Sequence, residues 1–229
     1  MPTRKYPRAV LFDLDGTLVD SAPDMVEAIN LMLRDFGREP MPLDVLRPHV
    51  SKGSRAMLAA AFPELDLVDR EAMVDDFLDT YERVLGKNCA PFDGIETLLA
   101  EIEAEGGRWG IITNKPLYLA EELIPMLGWE ERCAILLGGD SLAERKPHPL
   151  PLLHSAKTLG LEPRECVYIG DDERDIVAAR AAGMPSVAAL WGYRMPTDDP
   201  EAWRADAMVE RPLDLLDAAL WARLLPVEA

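Results

Sequence analysis

Relative to its opposite, positive charge is what this chain has least of: Lys and Arg number 24 against 41 Asp and Glu, a formal net charge of −17. Such a surface repels phosphodiester backbones and anionic bilayers, which excludes nucleic acid and membrane surfaces as natural partners. Cysteine is scarce as well. Cys89, Cys133 and Cys166 are the only three, widely separated and without a C-x-x-C pair or a spaced histidine companion. This excludes a disulfide framework and a structural zinc site, and leaves reduced thiols in a cytoplasmic protein as the expectation. Long apolar runs are missing too. The run within MPTRKYPRAVLFDLDG is short and ends in carboxylates, so it reads as neither a signal peptide nor a membrane span. Aromatics make up 7% of the residues. The tryptophans at 109, 129, 191, 203 and 221 have no basic residues interleaved, so they are expected in the core or at its rim, not stacked on bases. No internal repeat or low-complexity segment is present.

What remains is enough for a substantial core. At 229 residues and 48% hydrophobic content, the chain can form one ordinary domain and a smaller second one. Ala9-Val-Leu-Phe-Asp13 is an apolar run ending abruptly in acid and glycine, as suits a buried parallel strand that delivers its last residues to a loop. Similar runs recur at Gly110–Thr113, Ala134–Gly138, Val167–Gly170 and Ser186–Leu190, separated mostly by segments of helical period. Alternating strand and helix predicts a parallel, doubly wound α/β sheet. Between Asp20 and about Ala90 the pattern changes. Ala22, Met25, Val26, Ile29, Leu33 and Phe36 fall at helical spacing, as do Met73, Val74, Phe77, Tyr81 and Leu85. A purely helical block placed straight after the first strand cannot join the sheet, so residues 20–90 are expected to form a cap over a core made of 1–19 and 91–229, with hinges at both crossings. Asp93 is expected to cap the helix that follows it. Asp20 is expected either to cap the first cap helix, in competition with Ser21, or to serve at the hinge.

In an open parallel sheet, ligands gather beyond the carboxyl ends of the strands. Those ends carry Asp13 and Asp15, then Thr113 and Asn114, then Lys146 on a loop, then Asp171 and Asp175. Carboxylates at 13, 15 and 171 cannot all stay ionised in a confined site without opposing charge, and an all-oxygen set that leaves room for a phosphate suits Mg2+. With a metal and Lys146 on the phosphate oxygens, Asp13 can attack phosphorus in line. Asp15, two residues on, can protonate the leaving oxygen and then deprotonate the water that opens the phospho-aspartate. Gly16 permits close backbone approach to an anion, and the Thr113 hydroxyl can donate to it. His49, Ser51, Lys52 and Gly53 lie in a polar break between cap helices, from which the loop, through Lys52 and His49, could reach the substrate's leaving group. His148 and His154 lack metal-ligand company and are expected to be structural.

Asp13-Leu-Asp-Gly-Thr-Leu18, Thr113-Asn114, Lys146-Pro147 and Gly170-Asp-Asp-Glu-Arg-Asp175 resemble, in order, the four motifs of the haloacid dehalogenase superfamily. The resemblance spans nearly the whole chain. It implies a Rossmann-like core with an inserted helical cap, Asp13 as nucleophile, Asp15 as acid/base, and Thr113 and Lys146 as phosphate anchors. It also implies Mg2+ held by Asp13, the Asp15 carbonyl and Asp171, with Asp175 one layer behind. Dehalogenases and phosphonatases of the superfamily lack an aspartate at the place of Asp15, which points to phosphatases, with phosphomutases as the alternative. A signalling receiver domain shares some of these residue types, but there the acidic pair precedes the phospho-acceptor and the lysine comes last. The stretch Asp13–Asp24 and Lys146-Pro-His-Pro149 resemble phosphoglycolate phosphatases. Asp172-Glu-Arg174 with Trp191-Gly-Tyr-Arg194 resembles N-acetylmuramic acid 6-phosphate phosphatases instead. The expected substrate is a small phosphorylated metabolite of one of these kinds.

Overall fold

The computed structural model describes residues 5–224. In chain order the elements are β1 (Ala9–Phe12), β2 (Val19–Asp20), α1 (Ala22–Asp35), α2 (Leu43–Leu46), α3 (Ser54–Ala61), α4 (Leu67–Ala72), α5 (Val74–Val84) and β3 (Ala90–Pro91). There follow α6 (Ile95–Ala104), β4 (Arg108–Ile112), α7 (Leu117–Met126), β5 (Leu136–Leu137), α8 (Leu150–Thr158), β6 (Cys166–Gly170) and α9 (Glu173–Ala182). The chain ends with β7 (Ser186–Ala189), α10 (Pro200–Trp203), β8 (Ala207–Val209) and α11 (Ala218–Leu224).

Six of the strands form one parallel sheet in the order β5-β4-β1-β6-β7-β8. The first strand lies centrally, and chain order reverses around it: β4 flanks one side and β6 the other. That is a topological switch point, where the loops beyond the strand ends open a crevice. β1 and β6 are buried along their whole length, as an internal parallel strand requires. The architecture is a Rossmann-like α/β fold. β8 has no counterpart among the apolar runs of the sequence, because Ala-Met-Val is short and half exposed, too little for a period to register.

The block between β2 and β3 is helical. Along α1 the buried apolar side chains are Ala22, Met25, Val26, Ala28, Ile29, Met32 and Leu33, and along α5 the buried side chains are Phe77, Thr80, Tyr81 and Val84. These are the stripes the periodicity predicts, and α1 packs on α5 through them. Phe36 belongs to the expected stripe but stands 60% exposed, because α1 stops at Asp35 and Phe36 turns out of register with it. The two crossings pair as a short antiparallel ribbon, Val19 with Pro91 and Asp20 with Ala90. Asp24, fully buried on α1, ties that ribbon down by accepting from the backbone N–H groups of Asn88 (2.8 Å) and Cys89 (3.3 Å).

Two capping expectations are corrected. Asp93 does not cap α6, because the chain enters that helix through Gly94 in the left-handed region (φ 89°) with no side-chain cap. This leaves Asp93 exposed one residue too early. Asp20 does not cap α1. Its carboxylate accepts from Arg47 Nη2 (2.9 Å) and from the Tyr193 hydroxyl (2.7 Å), while the Ala22 N–H at the helix start donates to that same hydroxyl (2.9 Å). Asp20 thus sits in the crossing ribbon between Arg47 and Tyr193, and a tyrosine of the sheet layer closes the first turn of the helical block.

Candidate active site

Asp13 stands directly beyond β1, its N–H continuing the ladder to the Ile169 carbonyl (2.9 Å). Its Oδ1 accepts from the Leu14 N–H (2.7 Å) and pairs with Lys146 Nζ (3.0 Å). Among the described residues, Oδ2 has no hydrogen-bond donor, so the carboxylate is fixed in orientation yet keeps one oxygen available. Lys146 is buried; its ammonium also pairs with Asp175 Oδ1 (2.7 Å) and donates to the Tyr168 hydroxyl (2.8 Å). Burial opposes that charge, but the Asp13 and Asp175 carboxylates more than offset it and hold the Lys146 pKa above its ordinary value.

Asp171 follows β6 and is buried. Oδ1 accepts from the Thr17 hydroxyl (3.2 Å), and Oδ2 from the Ser51 hydroxyl (2.7 Å) and the Tyr193 N–H (2.8 Å). Asp175 lies one turn into α9, where its Oδ2 accepts from the Asp172 N–H (3.0 Å) and completes a capping box. Carboxylate oxygens of Asp13, Asp171 and Asp175 all lie within 4.8 Å of one another. Burial, then the neighbouring carboxylates of Asp13 and Asp175, push the Asp171 pKa well above its ordinary range. Asp175 is also raised, with burial the largest cause.

The other cations nearby are committed elsewhere. Lys115 Nζ contacts Asp15 Oδ1 (3.2 Å) and Oδ2 (3.4 Å) and donates to the Tyr81 hydroxyl (2.6 Å). Lys52 pairs with Asp172 (2.9 Å) and Asp198 (3.1 Å), and Arg174 pairs with Asp172 (2.8 Å). Among the described residues Lys146 is therefore the one cation paired within the cluster, with Asp13 and Asp175, while Asp171 has only neutral donors, and the deficit of positive charge falls on one spot. A cation there removes it, and an all-oxygen donor set fits a hard divalent ion.

The other sequence-expected residues fall around this cluster. The Thr113 N–H extends β4 toward the Leu137 carbonyl (2.9 Å), and the buried side-chain oxygen accepts from the Lys115 N–H (3.2 Å), so its own proton is left to donate. Asn114 Nδ2 donates to the Lys146 carbonyl (2.9 Å), tying two of the loops together, and its Oδ1 is buried without a donor. Gly16 has φ 83°, and a β-carbon on it would collide with the Asp171 carboxylate. Its N–H is spent on the Val19 carbonyl (3.0 Å), so what glycine provides is room. A cavity of about 380 Å³ opens above, lined by Asp13, Asp15, Thr113 and Lys146 from the strand ends and by Lys52 and Tyr81 from the helical block, among others. His49 is absent from the lining. His148 and His154 are exposed, and His148 Nδ1 accepts from the Leu150 N–H (3.1 Å) at the start of α8. Burial pushes the thiols of Cys89 and Cys166 to about 12 and that of Cys133 to about 11, which disfavours the thiolate at all three.

Sequence reasoning missed Lys115, Tyr81 as a polar group, and Arg174, which donates to the Ser51 carbonyl. Lys115 directly follows Thr113-Asn114, and that adjacency was the one available signal.

The chain is similar to known proteins over most of its length. Residues 10–189 match the family model described as haloacid dehalogenase-like hydrolase. A phosphoglycolate phosphatase of Xanthomonas campestris pv. campestris is 60% identical over 95% of this chain and 98% of its own length. An N-acetylmuramic acid 6-phosphate phosphatase of Pseudomonas aeruginosa is 43% identical over 92% and 93%. The crystal structure of a predicted phosphoglycolate phosphatase from Haemophilus somnus superposes with a TM-score of 0.81 at 26% identity, covering 93% of this chain and 97% of that one. With the acidic cluster beyond β1 and β6 and the family match over most of its length, the chain belongs to the haloacid dehalogenase-like hydrolases.

Proposed function

We propose that this protein is a Mg2+-dependent phosphomonoester hydrolase that acts on a small phosphorylated metabolite through an aspartyl-phosphate on Asp13. The observation that carries the reading is the fixed Asp13 carboxylate, one oxygen available, beside Lys146 and within reach of Asp171 and Asp175. In this reading residues 1–19 and 91–229 are the catalytic core and 20–90 the cap. Asp13, the Asp15 carbonyl and Asp171 would hold the Mg2+, which when bound neutralises charge on the phosphoryl oxygens.

Asp13 forms a bond to phosphorus while the bond to the leaving oxygen breaks, and Asp15 gives that oxygen its proton. Asp15 then takes a proton from the water that opens the aspartyl-phosphate, releasing inorganic phosphate and restoring Asp13. Lys146 and the Thr113 hydroxyl hold the phosphoryl oxygens, Asn114 fixes the loop between them, and Gly16 keeps the approach open. Lys52 reaches the leaving-group side from the cap. The leading substrates, by likeness to the relatives, are 2-phosphoglycolate and N-acetylmuramic acid 6-phosphate.

The test is phosphate release from a panel of these two esters and other sugar phosphates with Mg2+, comparing kcat/KM. The true substrate should reach about 10⁴ M⁻¹s⁻¹ or more. An isomerised sugar phosphate without free phosphate would replace the hydrolase by a mutase, and labelling without turnover would replace it by a receiver.

A further inference from the structure

We propose that Lys115 is the positioning residue for Asp15, and that Tyr81 makes this positioning depend on the helical block being closed over the sheet. The inference rests on Asp15 being the acid/base of the proposed hydrolase.

Three elements meet at one ammonium group. Lys115 comes from the loop after β4, Asp15 from the loop after β1, and Tyr81 from α5 of the helical block, all three lining the cavity. The Lys115 side chain is 2% exposed, and a buried ammonium persists only with its protons satisfied. Here they are satisfied by the Tyr81 oxygen at 2.6 Å and by the two Asp15 oxygens at 3.2 and 3.4 Å. Among the described residues the Asp15 carboxylate has no other hydrogen-bond donor, so its direction is set by Lys115. Tyr81 contributes its ring as well: the Lys115 nitrogen lies 4.3 Å from the ring centroid. The ring is stacked on Phe77, at 6.1 Å and 9°, within the helical block. Were the block to swing away, the Tyr81 oxygen and ring would leave together and water would reach Lys115. The carboxylate would then lose its fixed direction. A proton donor must be placed within hydrogen-bond reach of the oxygen it serves, so alignment of Asp15 and closure become one event.

A buried ion pair of purely structural use would affect all substrates alike. A positioning pair affects only those whose leaving oxygen needs a proton. The experiment compares 2,4-dinitrophenyl phosphate, whose leaving group departs unprotonated, with 2-phosphoglycolate, an alkyl ester whose oxygen needs the proton. It reads kcat/KM, which covers steps only up to departure of the leaving group. For Lys115→Met the ratio of alkyl to aryl kcat/KM should fall about tenfold or more, a part of the roughly 10²–10⁴ that acid catalysis supplies. For Tyr81→Phe, which keeps the ring and its packing, it should fall about threefold. An unchanged ratio in Tyr81→Phe, or a uniform loss on both esters in a folded Lys115→Met, would overturn the inference. Should Lys115→Met fail to fold, Tyr81→Phe decides alone. Should the wild-type protein not hydrolyse 2-phosphoglycolate, the alkyl ester that it does hydrolyse, N-acetylmuramic acid 6-phosphate or another sugar phosphate, takes its place in the ratio; a wild-type protein that hydrolyses no ester of that panel would overturn the hydrolase reading, and this inference with it.

Discussion

At Asp13 a single carboxylate has its two oxygens in different circumstances: one is held by Leu14 and Lys146, the other has no donor among the described residues. Asp13→Asn keeps the shape of the group and removes its nucleophilicity. Phosphate release should therefore fall by roughly 10⁴-fold or more, as when other covalent nucleophiles are removed. The thermal melt should retain one cooperative transition. An Asp13→Asn enzyme with near wild-type turnover would rule out the aspartyl-phosphate. Ser51 shows how much lies outside the strand-end motifs. It donates its hydroxyl to Asp171 and its carbonyl accepts from Arg174, so one residue of the helical block touches the acidic cluster and the first turn of α9 together.

The elements that join the two layers are short, and side chains do most of the joining. The β2–β3 ribbon pairs only two residues on each strand, yet Tyr193, Asp20 and Arg47 cross-link it. Tyr193→Phe leaves the Ala22 N–H without its acceptor and Asp20 Oδ1 without its donor, while Asp20 Oδ2 keeps Arg47. The cost should be about 1–3 kcal/mol, read as a lower Tm. A melt unchanged from wild type would mean that the hinge draws its order from the ribbon alone. On the opposite side, the Arg47–Lys52 turn carries Lys52 to Asp172 and Asp198. Lys52→Ala should raise KM for the true substrate more than it changes kcat, since it loosens closure without touching Asp13 or Asp15. His49→Ala, outside the cavity lining, should leave KM unchanged. Equal KM values for Lys52→Ala and wild type would remove Lys52 from substrate selection.

The molecule as a whole carries a formal charge of −17 and concentrates negative charge where its sheet is most buried. Burial raises the pKa of Asp171, and of Asp175, above the ordinary aspartate value of 3.8. In the metal-free protein the folded state therefore holds these protons more tightly than the unfolded state. This contribution to stability is complete below pH 3.8 and is lost as pH rises through the displaced values. A bound cation favours the ionised forms and should flatten that fall. Thermal melts over about pH 5 to 9 should show a downward slope in chelator and a shallower one with Mg2+. Chelation should also abolish phosphate release. Identical pH slopes in both conditions would show that no cation binds among these carboxylates. No described helix is long and apolar enough to cross a membrane, in keeping with the absence of long apolar runs.

The sequence by itself determined the α/β class, the helical segment between β2 and β3, and the order in which acid, hydroxyl, lysine and acid arrive at the strand ends. These depend on local period and on motif spacing, both written along one dimension. Pairings between distant charges were decided only by the tertiary structure. Lys115 precedes a proline and reads as an ordinary solvated charge, until folding buries it against Asp15, 100 residues away. Asp20 reads as either a helix cap or a hinge residue, until the hydroxyl of Tyr193, 173 residues away, takes the N–H at the start of α1 and donates to Asp20 instead. Ser51 meets Asp171 across 120 residues. Burial turns such polar groups from solvated side chains into obligatory partners, and burial is a property of the folded chain alone.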